Sequence, residues 1–116
     1  MVIYHNPRCS KSRETLRLLR ERGAEPEVVE YLKEPPDERT LRRLLRLLGL
    51  GPRELMRRRE KAYKELGLDD PGLDEAALIR AMAEHPILIE RPIVVVDGRR
   101  AALGRPPEAV LALLEG

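Results

Sequence analysis

The chain changes from a β-like run to a helical pattern at HNPRCSKSR, residues 5–13, which we call the cysteine loop. The run before it, MVIYH, is apolar, β-branched and aromatic, which is typical of a buried strand. An Asn-Pro pair interrupts it. From Ser10 to Arg22 apolar residues recur at helical spacing, and Gly23 is a typical C-terminal stop. The stretch therefore predicts a strand, a loop and a helix, with Cys9 at the start of the helix.

Cys9 lies where unpaired backbone N–H groups and the helix macrodipole favour an anion. Arg8, Lys11 and Arg13 add positive charge, and in such surroundings cysteine pKa values fall from about 8.5 to roughly 3.5–7.5. The same N–H groups could hold a tetrahedral oxyanion beside the sulfur. A lone cysteine can also be a small buried hydrophobe. The basic strand-to-helix setting favours a reactive thiolate.

The next segments predict a second strand and then a helical region. A β-like run at 27–32 completes a β-α-β unit, whose strands we expect to be parallel. Helices are predicted at 38–48, from Pro52 onward and at 74–85, so that residues from about 37 to 85 contain no strand. The helix from Pro52 carries three consecutive arginines, residues 57–59. One of them could face inward as an anion ligand, and periodicity does not choose which.

The C-terminal part predicts a β-hairpin and a last helix. Asp97-Gly98 is a hairpin signal between residues 93–96 and 100–103, which should pair antiparallel. A helix follows Gly104, with its core-facing side chains expected at Val110, Leu111 and Leu114. The order β-α-β, helices, β-β-α is thioredoxin-like. We predict an α/β fold in one domain, residues 1–116, with a helical insertion at about 37–85.

Composition narrows the class of protein. The 116 residues suit a single domain. The net charge of +2, from 22 basic and 20 acidic residues, does not indicate nucleic-acid or membrane binding. Neither a membrane-spanning run nor a signal-peptide pattern is present, so a cytoplasmic protein is expected. One cysteine cannot form an internal disulfide. We expect a monomer with no bound metal or cofactor.

Across essentially its whole length the chain resembles the glutaredoxin-linked arsenate reductases of the ArsC family. The matching segments are HNPRC with the four residues after it (5–13), LMR (55–57), HPILIERPIV (85–94) and GRP (104–106). The resemblance implies a thioredoxin-like fold with an inserted helical region. It also implies a cis bond between Arg91 and Pro92, beside the active cysteine.

The resemblance also implies a role for each matching residue. Cys9 would be the nucleophile, and the oxyanion ligands would be Arg57, Arg91 and Arg105. Planar guanidinium groups suit the several oxygens of arsenate. Glutathione or another small thiol would be the co-substrate, and glutaredoxin or a thioredoxin-type protein would be the final reductant.

For several residues near the cysteine loop or at a helix end, the sequence allows both a functional and a purely structural role. Similar proteins use His5 to keep the thiolate charged, and a protonated imidazole could do that, but a strand-end histidine bonded to backbone fits equally well. Ser12 and Arg13 would orient the cysteine loop, although Ser12 could be an ordinary early-helix serine. For His85 a capping role at a helix end is sufficient.

Three other classes of protein share features with this chain. A regulator of the Spx type, which binds RNA polymerase, commonly carries Cys-X-X-Cys, whereas this chain has Ser12 at the second position. The phosphatase-like arsenate reductases have an arginine six residues after the cysteine, where this chain has Thr15, and we discard that class. An ArsC-like thiol oxidoreductase with another substrate stays open.

Overall fold

The computed structural model describes residues 1–115. Within it the chain forms two compact units, one containing residues 1–34 together with those from 91 onward, and the other containing residues 35–90. We call them the sheet unit and the helical unit, and describe each by itself. The boundaries lie close to the helical region predicted at about 37–85.

The sheet unit contains the strands of the fold and two helices. Its elements are β1 (Val2–His5), α1 (Ser10–Glu21), β2 (Glu27–Glu30), β3 (Ile93–Val96), β4 (Arg100–Leu103) and a C-terminal 3₁₀ helix (Pro107–Leu114). The strands form one sheet in the order β2-β1-β3-β4. β1 and β2 are parallel, whereas β3 is antiparallel to both β1 and β4. This is the thioredoxin-like arrangement that the sequence predicts.

The core of the sheet unit forms between the sheet, α1 and the C-terminal helix. Its buried members are Ile3, Leu16, Leu19, Val94, Val110 and Leu113. The helical spacing predicted for α1 is confirmed, because one face of the helix buries Leu16 and Leu19 together with Ser12 and Thr15. Gly23 follows the helix with a φ of +83°, in the left-handed region that glycine adopts without strain. Apolar periodicity therefore located the first strand and helix correctly.

The second strand is shorter than the sequence predicts. β2 ends at Glu30 rather than Leu32, because the carbonyl of Glu30 accepts the N–H groups of Lys33 and Glu34 and turns the chain. Tyr31 is buried, whereas Leu32 is exposed. The β-like run of residues therefore extends past the point where local hydrogen bonds end the strand.

The hairpin confirms both predicted strands but has a longer connection. Asp97 and Gly98 take φ angles of +54° and +64°, and Arg99 donates its N–H to the carbonyl of Val96 over 3.1 Å. The ladder then pairs Val96 with Arg100. Arg99 is therefore an extra residue between the tight turn and the strand, so the connection has three residues instead of two.

The last helix corrects the prediction of its buried face. It is a 3₁₀ helix that buries Pro107, Val110 and Leu113, while Leu111 and Leu114 are only partly buried. A 3₁₀ helix has three residues per turn, so side chains three apart share a face. The prediction used the α-helical period and therefore selected Leu111 and omitted Leu113, whereas Leu114 does pack against the core although it is only partly buried.

The helical unit has α2 (Glu38–Leu48), as predicted, and several shorter elements. These are a 3₁₀ turn (Pro52–Leu55), α3 (Lys61–Glu65), α4 (Glu75–Glu84) and a second 3₁₀ turn (Pro86–Leu88). Gly49 ends α2 in the left-handed region, with a φ of +69°. The predicted continuous helix from Pro52 is wrong. Met56 is extended and forms an isolated bridge with Ile89, so residues 57–59 lie in a turn before α3.

The caps of the helical unit follow from its sequence. Asp37 and Asp74 accept backbone N–H groups at the starts of α2 and α4, over 2.8 Å and 2.9 Å. In α4 the buried side chains are Leu78, Ile79 and Met82, whereas Ala77 and Ala81 are only partly buried. None of the helices described in residues 1–115 is both long enough and apolar enough to cross a bilayer.

Candidate active site

Cys9 is the residue that immediately precedes the first turn of α1. Its backbone is extended (φ −94°, ψ 122°), its side chain is half-buried, and the first turn of α1 has no acidic residue. The first-turn N–H groups of a helix have no partner within the helix, and together with the helix dipole they favour an anion at this end. The strand-loop-helix sequence therefore places a thiol where a negative charge is stabilised.

The backbone of the cysteine loop is held by its own polar groups. Asn6 accepts the N–H of Cys9 with its carbonyl and that of Arg8 with its side-chain oxygen, both over 3.0 Å. Arg13 donates from Nη1 to the carbonyl of Pro7 over 2.8 Å. These contacts join both ends of the loop, and Arg13 supplies one of them.

The pKa of Cys9 lies below its ordinary value. Burial of the sulfur raises the pKa, but the N–H groups of Ser12 and Lys11 and the guanidinium of Arg91 together outweigh that effect. The sequence suggested a contribution from the side-chain charge of Lys11, whereas in the structure the backbone N–H of Lys11 lowers the pKa of the thiol. Its position in the first turn of the predicted helix was the signal for that contribution.

His5 and Ser12 form a buried pair behind the loop. Ser12 Oγ lies 2.6 Å from His5 Nδ1, and the same oxygen accepts the N–H of Asn6 over 3.0 Å. Burial lowers the pKa of His5 most strongly; the charge of Glu30 opposes it, and the charges of Arg20 and Arg13 lower the pKa further. A neutral imidazole can accept the Ser12 hydroxyl proton at Nδ1. The histidine bonds to a side chain instead of to backbone, and near neutral pH the uncharged form is favoured.

Arg91 and Arg105 lie on the two connections that flank the hairpin. Arg91 precedes β3, is partly buried, and has its guanidinium within reach of the Cys9 sulfur. Arg105 follows β4, is exposed, and approaches the Arg91 carbonyl to 3.5 Å from Nη1. The bonds Arg91–Pro92 and Arg105–Pro106 are both cis. The sheet unit thus brings one predicted oxyanion ligand to the sulfur and a second beside the first.

Arg57 belongs to the helical unit. Its N–H donates to the carbonyl of Leu88 over 2.7 Å, and its guanidinium forms an ion pair with Glu60 at 2.8 Å. The neighbouring Arg58 and Arg59 are exposed, whereas Arg57 is partly buried. This agrees with the expectation that two of the three arginines face solvent.

The described residues, 1–115, contain no cluster of three or more histidine, cysteine, aspartate or glutamate side chains suited to a metal ion. The polar groups around Cys9 are instead N–H donors and guanidinium groups. Such groups bind anions, because they carry positive charge and have several donors.

The fold and the site together define a class of protein, namely a thioredoxin-like protein with a reactive cysteine and an inserted helical unit. A thioredoxin-like sheet unit carries a half-buried cysteine at a helix N-terminus, and a helical unit is inserted between β2 and β3.

Comparison with known proteins identifies the family. The ArsC family model matches residues 4–113, and the chain belongs to that family. The chain is 62% identical over 113 residues to "Uncharacterized protein YfgD" of Escherichia coli, a match that covers 97% of this chain and 94% of that protein. It is 56% identical to an arsenate reductase of Neisseria meningitidis serogroup A, over 97% and 96% of the two chains. A solved structure named arsenate reductase from Vibrio cholerae superposes with a TM-score of 0.93 at 57% identity, covering 96% of this chain and 94% of that one.

Proposed function

We propose that this chain reduces arsenate to arsenite through the thiolate of Cys9, with an external thiol as reductant. The observation that carries the proposal is the position of Cys9 at the N-terminus of α1, where the Ser12 and Lys11 N–H groups and the Arg91 guanidinium lower the pKa of its thiol. The relatives named arsenate reductase support the choice of oxyanion.

In the first step the Cys9 thiolate attacks arsenic and forms a sulfur–arsenic bond. An arsenate oxygen leaves as water after it takes up a proton. The lowered pKa of Cys9 increases the fraction of nucleophile present near neutral pH. The same N–H and guanidinium groups stabilise the oxyanion, because they are already oriented toward negative charge.

In the second step a small thiol such as glutathione attacks the Cys9 sulfur. The sulfur–arsenic bond breaks and its electron pair stays on arsenic, which leaves as arsenite. The two sulfurs supply the two electrons and become a mixed disulfide. Because the chain has one cysteine, that disulfide must be reduced by another molecule. We assign this last step to glutaredoxin or a thioredoxin-type protein, in a reducing compartment such as the cytoplasm.

Three arginines complete the proposed oxyanion site. The Arg91 guanidinium acts on the Cys9 sulfur and Arg105 lies beside Arg91, so we assign both as ligands of an anion bound at Cys9. Arg57 is proposed as the third ligand on the basis of its place in the matching family motif. Its present ion pair with Glu60 would compete with arsenate for the guanidinium.

His5 is proposed to act through Ser12 rather than as a charged neighbour of the thiolate. The imidazole accepts a hydrogen bond from the Ser12 hydroxyl, which in turn accepts the N–H of Asn6. This arrangement orients the first turn of α1, whose N–H groups stabilise the thiolate.

The test is an assay coupled to NADPH consumption, with arsenate, glutathione and glutaredoxin. We expect arsenate-dependent turnover by the wild-type chain and a loss of at least about a thousandfold in Cys9→Ser, because the nucleophile is removed. Ser10→Ala is the matched control, since Ser10 is the exposed neighbouring residue. It should retain wild-type activity.

Each adverse outcome has a distinct meaning. Full activity in Cys9→Ser would refute covalent chemistry at that sulfur. The absence of arsenate-dependent turnover in the wild type, with glutathione and other thiol donors, would refute arsenate as the substrate and favour an ArsC-like thiol oxidoreductase with another substrate. Binding to RNA polymerase that survives the loss of Cys9 would favour the regulatory alternative.

A further inference from the structure

Gly104 lies at the end of β4 in a place that has no room for a side chain. A Cβ atom built there would lie 2.7 Å from Pro92 Cγ and 3.0 Å from Thr15 Cγ2, and would overlap Thr15 Oγ1 more severely. Real Cβ atoms essentially never approach other atoms to less than 3.0 Å, so the contacts with Pro92 Cγ and Thr15 Oγ1 exclude a side chain unless something shifts. The requirement for glycine here is therefore steric, because these neighbours occupy the space.

The neighbours of Gly104 are held in place. Thr15 is fully buried, and its Oγ1 donates to the carbonyl of Lys11 over 2.7 Å, so a change of rotamer would break that hydrogen bond. Pro92 is buried, and its carbonyl accepts the N–H of Gly104 over 2.9 Å. A side chain at position 104 would therefore have to move the backbone apart.

The three segments that meet at Gly104 each carry part of the candidate site. α1 begins at Cys9 and contains Thr15, and Pro92 follows Arg91 directly in the chain. Gly104 itself precedes Arg105, whose guanidinium approaches the carbonyl of Arg91. Separation at this contact would move both arginines relative to α1.

We propose that Gly104 is a positioning residue, whose missing side chain lets the turns that carry Arg91 and Arg105 pack directly against α1. A substitution there acts on Cys9 through Arg91, while the Ser12 and Lys11 N–H groups belong to α1 itself and stay with the sulfur. The expected effect of a substitution on arsenate turnover rests on the proposed function. The expected effect on the reactivity of the Cys9 thiol does not, because that reactivity is measured without arsenate.

The test compares Gly104→Ala with the wild type in two measurements on the full chain. The pH dependence of the alkylation rate of Cys9 reports the thiol, and we expect its midpoint to move upward as the guanidinium withdraws. In the coupled assay we expect KM for arsenate to rise by roughly tenfold, with a smaller change in kcat, because an oxyanion ligand is displaced. Gly51→Ala is the matched control, since Gly51 has a negative φ and a Cβ there would meet Glu54 Oε1 at an ordinary 3.4 Å.

A second comparison separates positioning from simple loss of stability. Thr15→Ala removes two of the atoms that the new Cβ would meet, so the double variant Thr15→Ala/Gly104→Ala should recover part of the alkylation midpoint and of KM. If Gly104→Ala does not fold, the double variant is compared with Thr15→Ala, because the contact with Pro92 Cγ remains in it. A folded variant whose melting temperature falls while the alkylation midpoint stays unchanged would overturn the proposal. If the wild type shows no arsenate turnover, the proposed function fails but the alkylation midpoint still tests the positioning role of Gly104.

Discussion

Arg91 contributes to the candidate site through both its charge and its shape. Its guanidinium lowers the pKa of Cys9 by its positive charge and by a hydrogen bond to the sulfur. Lysine would keep the charge but lose the planar pair of donors that binds an oxyanion. We therefore expect Arg91→Lys to lower kcat/KM for arsenate by about 10- to 100-fold, with most of the loss in KM.

The control for this prediction is Arg99→Lys, in the exposed turn between β3 and β4. The coupled assay should give wild-type constants for it. Equal kcat/KM values for Arg91→Lys and the wild type would show that the planar pair of guanidinium donors at position 91 does not contribute to arsenate binding.

His5 predicts a pH dependence of stability. Its pKa in the folded chain is lowered, chiefly by burial and then by Arg20 and Arg13 against the opposing charge of Glu30, so the unfolded chain binds a proton more readily. The free energy of unfolding therefore falls as the pH drops below the unfolded value of about 6.5, and this loss ends below the folded pKa. We expect urea titrations between about pH 5 and 8 to show this decline in the wild type and a weaker one in His5→Asn.

The comparison with His5→Asn removes the effect of other groups. The Asp37 carboxyl, whose pKa is lowered by the Thr40 N–H, titrates in both proteins and cancels in the difference. Identical pH profiles in the two proteins would contradict the assignment of a buried, neutral imidazole.

Among the elements, the C-terminal 3₁₀ helix makes the sharpest prediction. Val110 is fully buried in the core of the sheet unit, whereas Leu111 lies off the buried face. Val110→Ala should lower the free energy of unfolding by about 2 kcal/mol, because it leaves a cavity. Leu111→Ala removes a larger side chain but should cost less than about 1 kcal/mol. Urea denaturation checks both values, and a larger loss at Leu111 would contradict the three-residue period.

Elements were predictable from sequence to the extent that local patterns control them. The apolar repeat of α2 has helical spacing, is bounded by Asp37 and Gly49, and was located correctly at both ends. The third predicted helix failed because Met56 leaves the helical conformation to pair with Ile89, more than 30 residues further along the chain. The residues near Met56 give no local signal, in helical propensity or in capping, of a partner so far along the chain.

At the scale of the whole molecule, the prediction of one domain leads to a test of cooperativity. The helical unit is inserted between β2 and β3, so the chain enters and leaves it through the sheet unit. A chain of this length suits one cooperative core better than two. We expect a single calorimetric transition with equal calorimetric and van't Hoff enthalpies. Two resolved transitions, or unequal enthalpies, would show that the units unfold separately.

The sequence alone determined the strand-loop-helix start, the hairpin and the placement of Cys9 at a helix N-terminus. Each depends on neighbours within a few residues, such as the apolar repeat of α1 or the Asp97-Gly98 turn. The family resemblance, rather than periodicity, selected Arg57, Arg91 and Arg105.

Only the tertiary structure decided which distant groups act on the sulfur and which glycine is sterically required. Arg91 reaches Cys9, and Gly104 contacts Thr15 and Pro92, because β3 pairs with β1 and brings residues more than 70 positions apart into contact. The 3₁₀ form of the last helix, which buries Leu113 and leaves Leu111 off the buried face, likewise depends on how that helix packs with α1 and the sheet. Such pairings depend on the packing free energy of the whole core, which a local pattern of residues does not record.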